Sequence, residues 1–282
     1  MADYPECPKC SDIYGNKKDH AKAPKILDCG DSICKECLEK FIKEENEEFP
    51  CPKCGIKVKN EHNIDNYPTN KAVIKVVDES FYPKNSEEKD LIEYKIISLG
   101  NSSVGKTSIF LRLSKDIFNE NHLATLGCDK SVYYINYKSK KYKLHLHDPA
   151  GQEQFKAVTR AFLRDPDGVL FIYDISNKKS FDDLESWFNI YKEENEKLVG
   201  LLIGNKCDKE REVGEKEAEK FAEKHGLKYL ETSAKLDRKV KKAIACLLEE
   251  IIKSNPSEKK NKYCHIDNYS AQTQKKKEKK CC

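Results

Sequence analysis

The chain has 282 residues, with 52 Lys and Arg against 48 Asp and Glu, a formal net charge of +4 and 38% hydrophobic residues. That length predicts one large domain beside a smaller one, and the near balance of charge argues against a general nucleic-acid binder. No apolar run approaches the roughly 18 residues of a membrane span, and "MADYPECPKC" lacks the regions of a signal peptide, so a cytosolic chain is expected, whose 13 cysteines serve metal, lipid or buried thiols before disulfides.

Seven of those cysteines lie between residues 7 and 54, as Cys7-x2-Cys10, Cys29, Cys34-x2-Cys37 and Cys51-x2-Cys54. A Cys-x2-Cys pair turns two thiolates towards one ion, and Zn²⁺ takes four ligands in a tetrahedron, so three such pairs signal metal. Asp31 follows Cys29 by two residues, and His20 and His62 are rival donors. In "YPTNKAVIKVVDE", Ala72, Val73, Val76 and Val77 recur at helical spacing, which predicts a short helix packed on the cluster. Residues 1–79 are expected to form one module, and the polar "SFYPKNSEEKD" opens a linker over 80–92.

From residue 93 the pattern changes. "YKIISLG" reads as a buried strand and "KTSIFLRLSKDIF" as a helix, and "SVYYINYKSKKYKLHLHD" forms two alternating runs with a turn near 139–141. "GVLFIYDI" and "KLVGLLIGNKCD" are apolar strands flanking the helix "KSFDDLESWFNIYKEENEK". "EKEAEKFAEKHG", "LKYLETSAK" and "KVKKAIACLLEEIIK" complete the series as helix, strand and helix. Strands alternating with helices predict an α/β fold over 93–253, a doubly wound, mostly parallel sheet. Residues 254–282 read as a polar tail with Lys275, Lys276, Lys277, Lys279 and Lys280 ahead of Cys281 and Cys282.

"GNSSVGKT", Gly100 to Thr107, fits G-x-x-x-x-G-K-[ST] between a strand and a helix. The glycines let the backbone amides face phosphates, Lys106 neutralises β and γ oxygens, and Thr107 offers a hydroxyl to Mg²⁺. "DPAGQE" (148–153), "NKCD" (205–208) and "ETSAK" (231–235) end later strands, where an open α/β sheet binds its ligand. Together with "ATLG" (124–127) they resemble the nucleotide-contact motifs of the Ras superfamily, and "GNSSVGKTS", "AGQEQF", "LFIYDIS" and the terminal cysteine pair are most similar to the Rab branch.

The resemblance implies a P-loop GTPase that binds GTP or GDP with Mg²⁺ and hydrolyses GTP as a switch in vesicle trafficking. Gly100, Ser103, Val104, Gly105, Lys106, Thr107 and Ser108 would wrap the phosphates. Thr125 would close on the γ-phosphate and Mg²⁺, Asp148 would hold the Mg²⁺ through its water shell, Gly151 would give an amide to the γ-phosphate, and Gln152 would orient the attacking water. Gln152, Thr125 and Lys106 are the catalytic candidates. Asp208 would accept from both guanine donors, Asn205 and Lys206 would brace base and loop, and Ala234, flanked by Ser233 and Lys235, would read the guanine oxygen. No arginine is placed by motif to reach the γ-phosphate, which implies slow hydrolysis aided by an activating protein, alongside an exchange factor and effectors. Pro149 stands where the family has Thr, Lys130 and His147 replace Phe and Trp, and Phe162-Leu163 replaces a Tyr pair.

The cysteine order resembles a RING finger, in which alternate pairs share an ion. This implies two Zn²⁺ ions, one on Cys7, Cys10, Cys34 and Cys37 and one on Cys29, Asp31, Cys51 and Cys54, with Asp31 at the position usually held by His. It also implies recruitment of a ubiquitin-conjugating enzyme and E3 ubiquitin ligase activity; the alternative is a module that only docks a protein. The Rab ending implies geranylgeranyl groups on Cys281 and Cys282, which with the lysines would anchor the chain to the cytoplasmic face of an intracellular membrane, cycling with the cytosol.

Overall fold

The computed structural model describes residues 5–15, 22–44, 47–81, 91–120, 125, 128–138, 140–149 and 163–254. The amino-terminal part is built from short elements: β1 (Pro24–Ile26) pairs antiparallel with β2 (Ser32–Cys34), α1 (Lys35–Glu44) follows, and β3 (Glu48–Pro50) pairs antiparallel with β4 (Lys57–Lys59). Its core is small. Ile33, Leu38, Phe49 and Val58 are fully buried, and the Phe41 and Phe49 rings stack with centroids 5.0 Å apart. A core of that size ordinarily needs cross-links or metal to hold a fold.

Helix α2 (Lys71–Phe81) starts at Asn70, whose side-chain oxygen accepts from the Ala72 and Val73 amides. The expected face was Ala72, Val73, Val76 and Val77, but the helix buries Ile74, Val77 and Phe81 and leaves Val76 45% exposed. The cause is tertiary: α2 packs across β1 and also across a strand of the large sheet, and Asn136 of that strand donates to the Glu79 carbonyl at 2.5 Å. Residues 82–90 of the expected linker lie outside the described residues.

The second part is an open sheet in the order β10-β9-β8-β5-β7-β6, with β5 (Leu91–Leu99), β6 (Cys128–Tyr137), β7 (Lys140–Pro149), β8 (Gly168–Asp174), β9 (Gly200–Asn205) and β10 (Lys228–Glu231). Only the β6–β7 pair is antiparallel. Strands β8 and β9 are buried at every position, which is why they read as continuous apolar runs. Along β5, Ile96 points into a core with Ile109 and Phe110 of α3 (Lys106–Lys115) and Leu248 of α7 (Val240–Ser254). Its neighbour Ile97 points into the opposite core, formed with Phe181 of α4 (Lys178–Asp182), Trp187 and Phe188 of α5 (Leu184–Glu194) and Ala218 of α6 (Glu215–Lys224). The sheet is therefore covered on both faces, a doubly wound, mostly parallel α/β fold.

The helix expected over "KSFDDLESWFNIYKEENEK" is divided into α4 and α5 at Asp183, whose carboxylate receives the Asn101 side-chain amide at 2.6 Å. Helix α3 ends earlier than expected because Asp116 turns left-handed, with φ of 55°, and closes the last turn on the Arg112 carbonyl. No described helix is long and apolar enough to cross a membrane.

Candidate nucleotide and metal sites

A cavity of about 580 Å³ opens where β5, β9 and β10 end, lined among others by Lys106, Thr107, Thr125, Asn205, Asp208 and Ala234. Its floor is the loop between β5 and α3. Gly105 adopts φ of 98°, and a Cβ there would collide with the Asn205 side-chain amide; at Gly100, φ of 144°, a Cβ would strike the Ile172 carbonyl. Both positions therefore require glycine. Lys106 is buried and donates to the Gly100 and Asn101 carbonyls at 3.0 and 2.8 Å, which keeps its ammonium inside the loop. Burial pulls it down to about 8, with Asp148 opposing.

Three oxygen ligands of the kind Mg²⁺ favours converge beside the lysine. The Thr107 hydroxyl donates to Asp148 Oδ2 and lies 2.9 Å from the Thr125 hydroxyl, while Ser98 donates to Asp148 Oδ1 at 2.9 Å. Burial pushes the Asp148 carboxyl above the usual carboxylate range, opposed by Thr107, Lys106 and Ser98. A hard, all-oxygen donor set next to a buried lysine fits Mg²⁺.

The far wall carries the groups that would read a base. Asn205 spans the site, donating to the Val104 carbonyl at 2.9 Å and accepting from the Thr232 hydroxyl at 3.1 Å and the Ala234 amide at 3.3 Å. Lys206, at φ of 65°, donates to the Ser103 carbonyl at 2.7 Å and pairs with Asp174 at 2.6 Å. Ser233 donates to Asp208 Oδ1, so that the exposed carboxylate is aimed by the loop that follows β10. An acceptor-only carboxylate matches the two adjacent donors of guanine and mismatches adenine.

Lys106, Thr107, Thr125, Asp148, Asn205, Lys206, Asp208 and Ala234 are thus brought together with the phosphate loop, whereas Gly151, Gln152 and Phe162 lie outside the described residues. Pro149 ends β7, and Lys130 faces His147 across the β6–β7 pair. Several residues of this site carried no local signal. Asn101 is fixed between Asp183 and the Trp187 indole N–H, which donates to it at 2.7 Å; Arg112 donates to the Ala234 and Lys235 carbonyls at 3.1 and 3.3 Å. Ser98 and Asp174 complete the set, each meeting its partner only through the sheet.

The cysteines converge in two interleaved sets. Ligand atoms of Cys7, Cys10, Cys34 and Cys37 lie within 4.8 Å of one another, as do those of Cys29, Asp31, Cys51 and Cys54. Two matching turns shape them. The Ser11 and Gly55 amides donate back to the Cys7 and Cys51 carbonyls at 2.8 and 2.9 Å, with both residues left-handed at φ of 55° and 75°. Asp31 Oδ2 lies 3.6 Å from Cys51 Sγ, and its other oxygen accepts from Lys53 Nζ at 2.8 Å. Thiolate-rich tetrads are donor sets for Zn²⁺, and a carboxylate oxygen is an accepted member. Neither tetrad contains His62, and His20 lies outside the described residues, as do Cys281 and Cys282. The cluster is compatible with a zinc-binding RING-like domain.

A phosphate loop, a Thr–Thr–Asp oxygen cluster and a guanine-matching carboxylate at one edge of a doubly wound sheet define a guanine-nucleotide-binding P-loop protein. Residues 95–253 match the Ras family, more than half of the chain, and the chain belongs to that family. It is 39% identical over 162 residues to the Ras-related protein Rab-13 of Bos taurus, covering 56% of this chain and 80% of that protein. It is 41% identical over 166 residues to the Ras-related protein Rab-10 of Caenorhabditis elegans, covering 58% of this chain and 83% of that one. It is 39% identical over 162 residues to the Ras-related protein Rab-8B of Homo sapiens, covering 56% of this chain and 78% of that one. The protein is a Rab-like small GTPase, and the family match begins beyond the cysteine cluster.

Proposed function

We propose that the protein is a GTP-hydrolysing switch in vesicle trafficking, whose 93–253 domain holds GTP or GDP and whose 1–79 module is fastened by two zinc ions. The observation that carries the reading is the cavity that gathers Lys106, the Thr107 and Thr125 hydroxyls, with Asp148 accepting from Thr107 behind them, and the Asn205–Asp208–Ala234 wall. Mg²⁺ bound at Thr107, Thr125 and Asp148 would neutralise charge on the β and γ phosphates. Lys106 would hold the same oxygens from the buried side, Gly151 would supply an amide, and Gln152 would orient the attacking water. Thr125 and Gly151 would order their segments only with a γ-phosphate present. A fluorescent GDP analogue should bind in the presence of Mg²⁺ and be displaced by GTP and GDP but not ATP. Displacement by ATP with equal potency would overturn the guanine reading.

The tail 254–282 is read as the anchor, with geranylgeranyl groups on Cys281 and Cys282 assisted by the neighbouring lysines. Two lipid chains, or one with a basic patch, anchor stably where one alone does not. Such an anchor would hold the protein on the cytoplasmic face of an intracellular membrane, served by an exchange factor, an activating protein and effectors. For the 1–79 module we infer recruitment of a ubiquitin-conjugating enzyme and ligase activity. The interleaved cysteine tetrads support it, as does Ile56, 57% exposed beside the Cys51–Cys54 turn. A docking module without transfer activity is the competing reading, favoured by Lys9, whose ammonium sits over the Phe41 ring 4.9 Å from its centroid beside the first turn. Discharge of ubiquitin from a charged conjugating enzyme by the zinc-loaded protein decides between them.

A further inference from the structure

We propose that the cysteine module contributes two positioning residues, Asp12 and Glu36, to nucleotide retention: they hold the guanine-base loop in place, so that zinc on Cys7, Cys10, Cys34 and Cys37 and nucleotide in the cavity stabilise each other. The proposal rests on the site assignments made above and adds a coupling between them.

The loop between β10 and α7 closes on itself through reciprocal backbone bonds, Ser233 N–H to the Arg238 carbonyl at 3.1 Å and Arg238 N–H to the Ser233 carbonyl at 2.9 Å. Within it lie the Ser233 hydroxyl that aims Asp208 and the Ala234 amide. At its far end Asp237 and Lys239 are left-handed, with φ of 47° and 54°. Side chains other than glycine persist there only where their surroundings hold them.

Part of those surroundings is the cysteine module. The Lys239 amide donates to Asp12 Oδ2 at 2.9 Å, and Arg238 donates to Glu36 Oε1 at 3.2 Å. One turn into α7, Lys242 donates to Glu6 at 2.6 Å and to the Ser11 carbonyl at 2.8 Å. Asp12 is only 4% exposed, and the buried Lys22 lies 3.3 Å from it and 2.9 Å from Glu36, so the acids Glu6, Asp12 and Glu36 are balanced by the bases Lys22, Arg238 and Lys242 at the contact. Asp12 and Lys22 are buried while the Arg238–Glu36 and Lys242–Glu6 pairs stay partly open to solvent, so removing one partner of the buried pair is the costlier change.

Asp12 and Glu36 border the first tetrad in sequence and in space. The Asp12 carbonyl accepts from the Cys7 amide at 2.8 Å, and Glu36 sits between Cys34 and Cys37 at the start of α1. A short covalent and hydrogen-bonded path therefore leads from a metal ligand through Asp12, Lys239, Arg238 and Ser233 to Asp208. Arg112 holds the loop from the opposite side through the Ala234 and Lys235 carbonyls. The loop is clamped between α3 and the module, and coupling between two ligands that share a clamp is reciprocal.

The test uses the full chain, loaded with zinc and a fluorescent GDP analogue, and follows release into excess unlabelled GDP. Stripping zinc with a zinc-selective chelator, with Mg²⁺ held in excess so that the nucleotide's own metal stays bound, is expected to speed release about tenfold, within the usual range of coupling between sites. Asp12→Ala and Glu36→Gln should each speed release several-fold with zinc still bound, Asp12→Asn should restore slow release by keeping an acceptor for the Lys239 amide, and stripping should add little to the double variant. Conversely, zinc transfer to a chromogenic chelator should be slower with GDP bound than without. If Asp12→Ala loses zinc, Arg238→Ala tests the same clamp from the GTPase side. Release rates indifferent to stripping and to Arg238→Ala, with zinc loss verified, overturn the proposal. A chain that loads no zinc or no GDP overturns the site assignments themselves, and this shows before any rate is read.

Discussion

A Cβ at Gly105 would collide with the Asn205 side-chain amide, so closely does the base-bracing wall close on the phosphate loop. Gly105→Ala adds a methyl group at a left-handed position with no space for it, and should cost at least about tenfold in GDP affinity by calorimetry. His147 illustrates the opposite kind of residue, one that reports rather than binds. Burial, then Lys95 and Lys130, hold its imidazole down to about 4. Its folded value lies below the unfolded one of about 6.5, so the unfolded chain takes up the proton first and this group's contribution to stability is lost as pH falls from about 6.5 through 4. An NMR titration should place its midpoint near 4, and His147→Gln should flatten stability over that window. Motif residues were legible one by one because their chemistry is local: a glycine that must be left-handed, a lysine for phosphate, a carboxylate for guanine. Asn101 and Arg112 were not, since Asn101 meets Trp187 and Arg112 meets Ala234 only after the sheet has folded.

At the scale of elements, the buried strands could be read from apolar runs because both their faces are covered, and most helices from helical spacing because each buries one face against the sheet. Helix α2 packs Val73 and Val77 of its expected face on the core but adds Ile74 and Phe81 in place of Ala72 and Val76, and it is the element that packs on two surfaces at once, β1 and β6, the second supplied by distant sequence. The cysteine turns, by contrast, announce themselves, since the Ser11 and Gly55 conformations follow from two thiolates pointing one way. Asp31 belongs to this scale: it shares a tetrad with Cys29, Cys51 and Cys54, and Lys53 offsets the added negative charge. Asp31→Ala should lower zinc from two equivalents towards one when measured against a competing chelator, and Asp31→His should restore it. Unchanged zinc in Asp31→Ala would make water or another group the fourth ligand.

The whole molecule joins a nucleotide cavity to the cysteine-rich module through α2, β6 and the amino-terminal end of α7, with one apolar cluster running from Cys7 and Leu38 through Phe81 to Ile96 and Leu248. A module with so small a core should owe its fold to metal. Removing zinc should therefore abolish near-ultraviolet dichroism from its buried tyrosines while leaving the large sheet intact. That the two parts dock was not legible, since the residues that meet, Asp12 with Lys239 and Glu6 with Lys242, are more than two hundred positions apart. The most direct test of the account is native mass spectrometry of the full chain after incubation with equal GDP and ADP. The account predicts one GDP and two zinc ions on each chain, with no adenine nucleotide retained; a folded chain without zinc, or one that keeps ADP as readily as GDP, would contradict it.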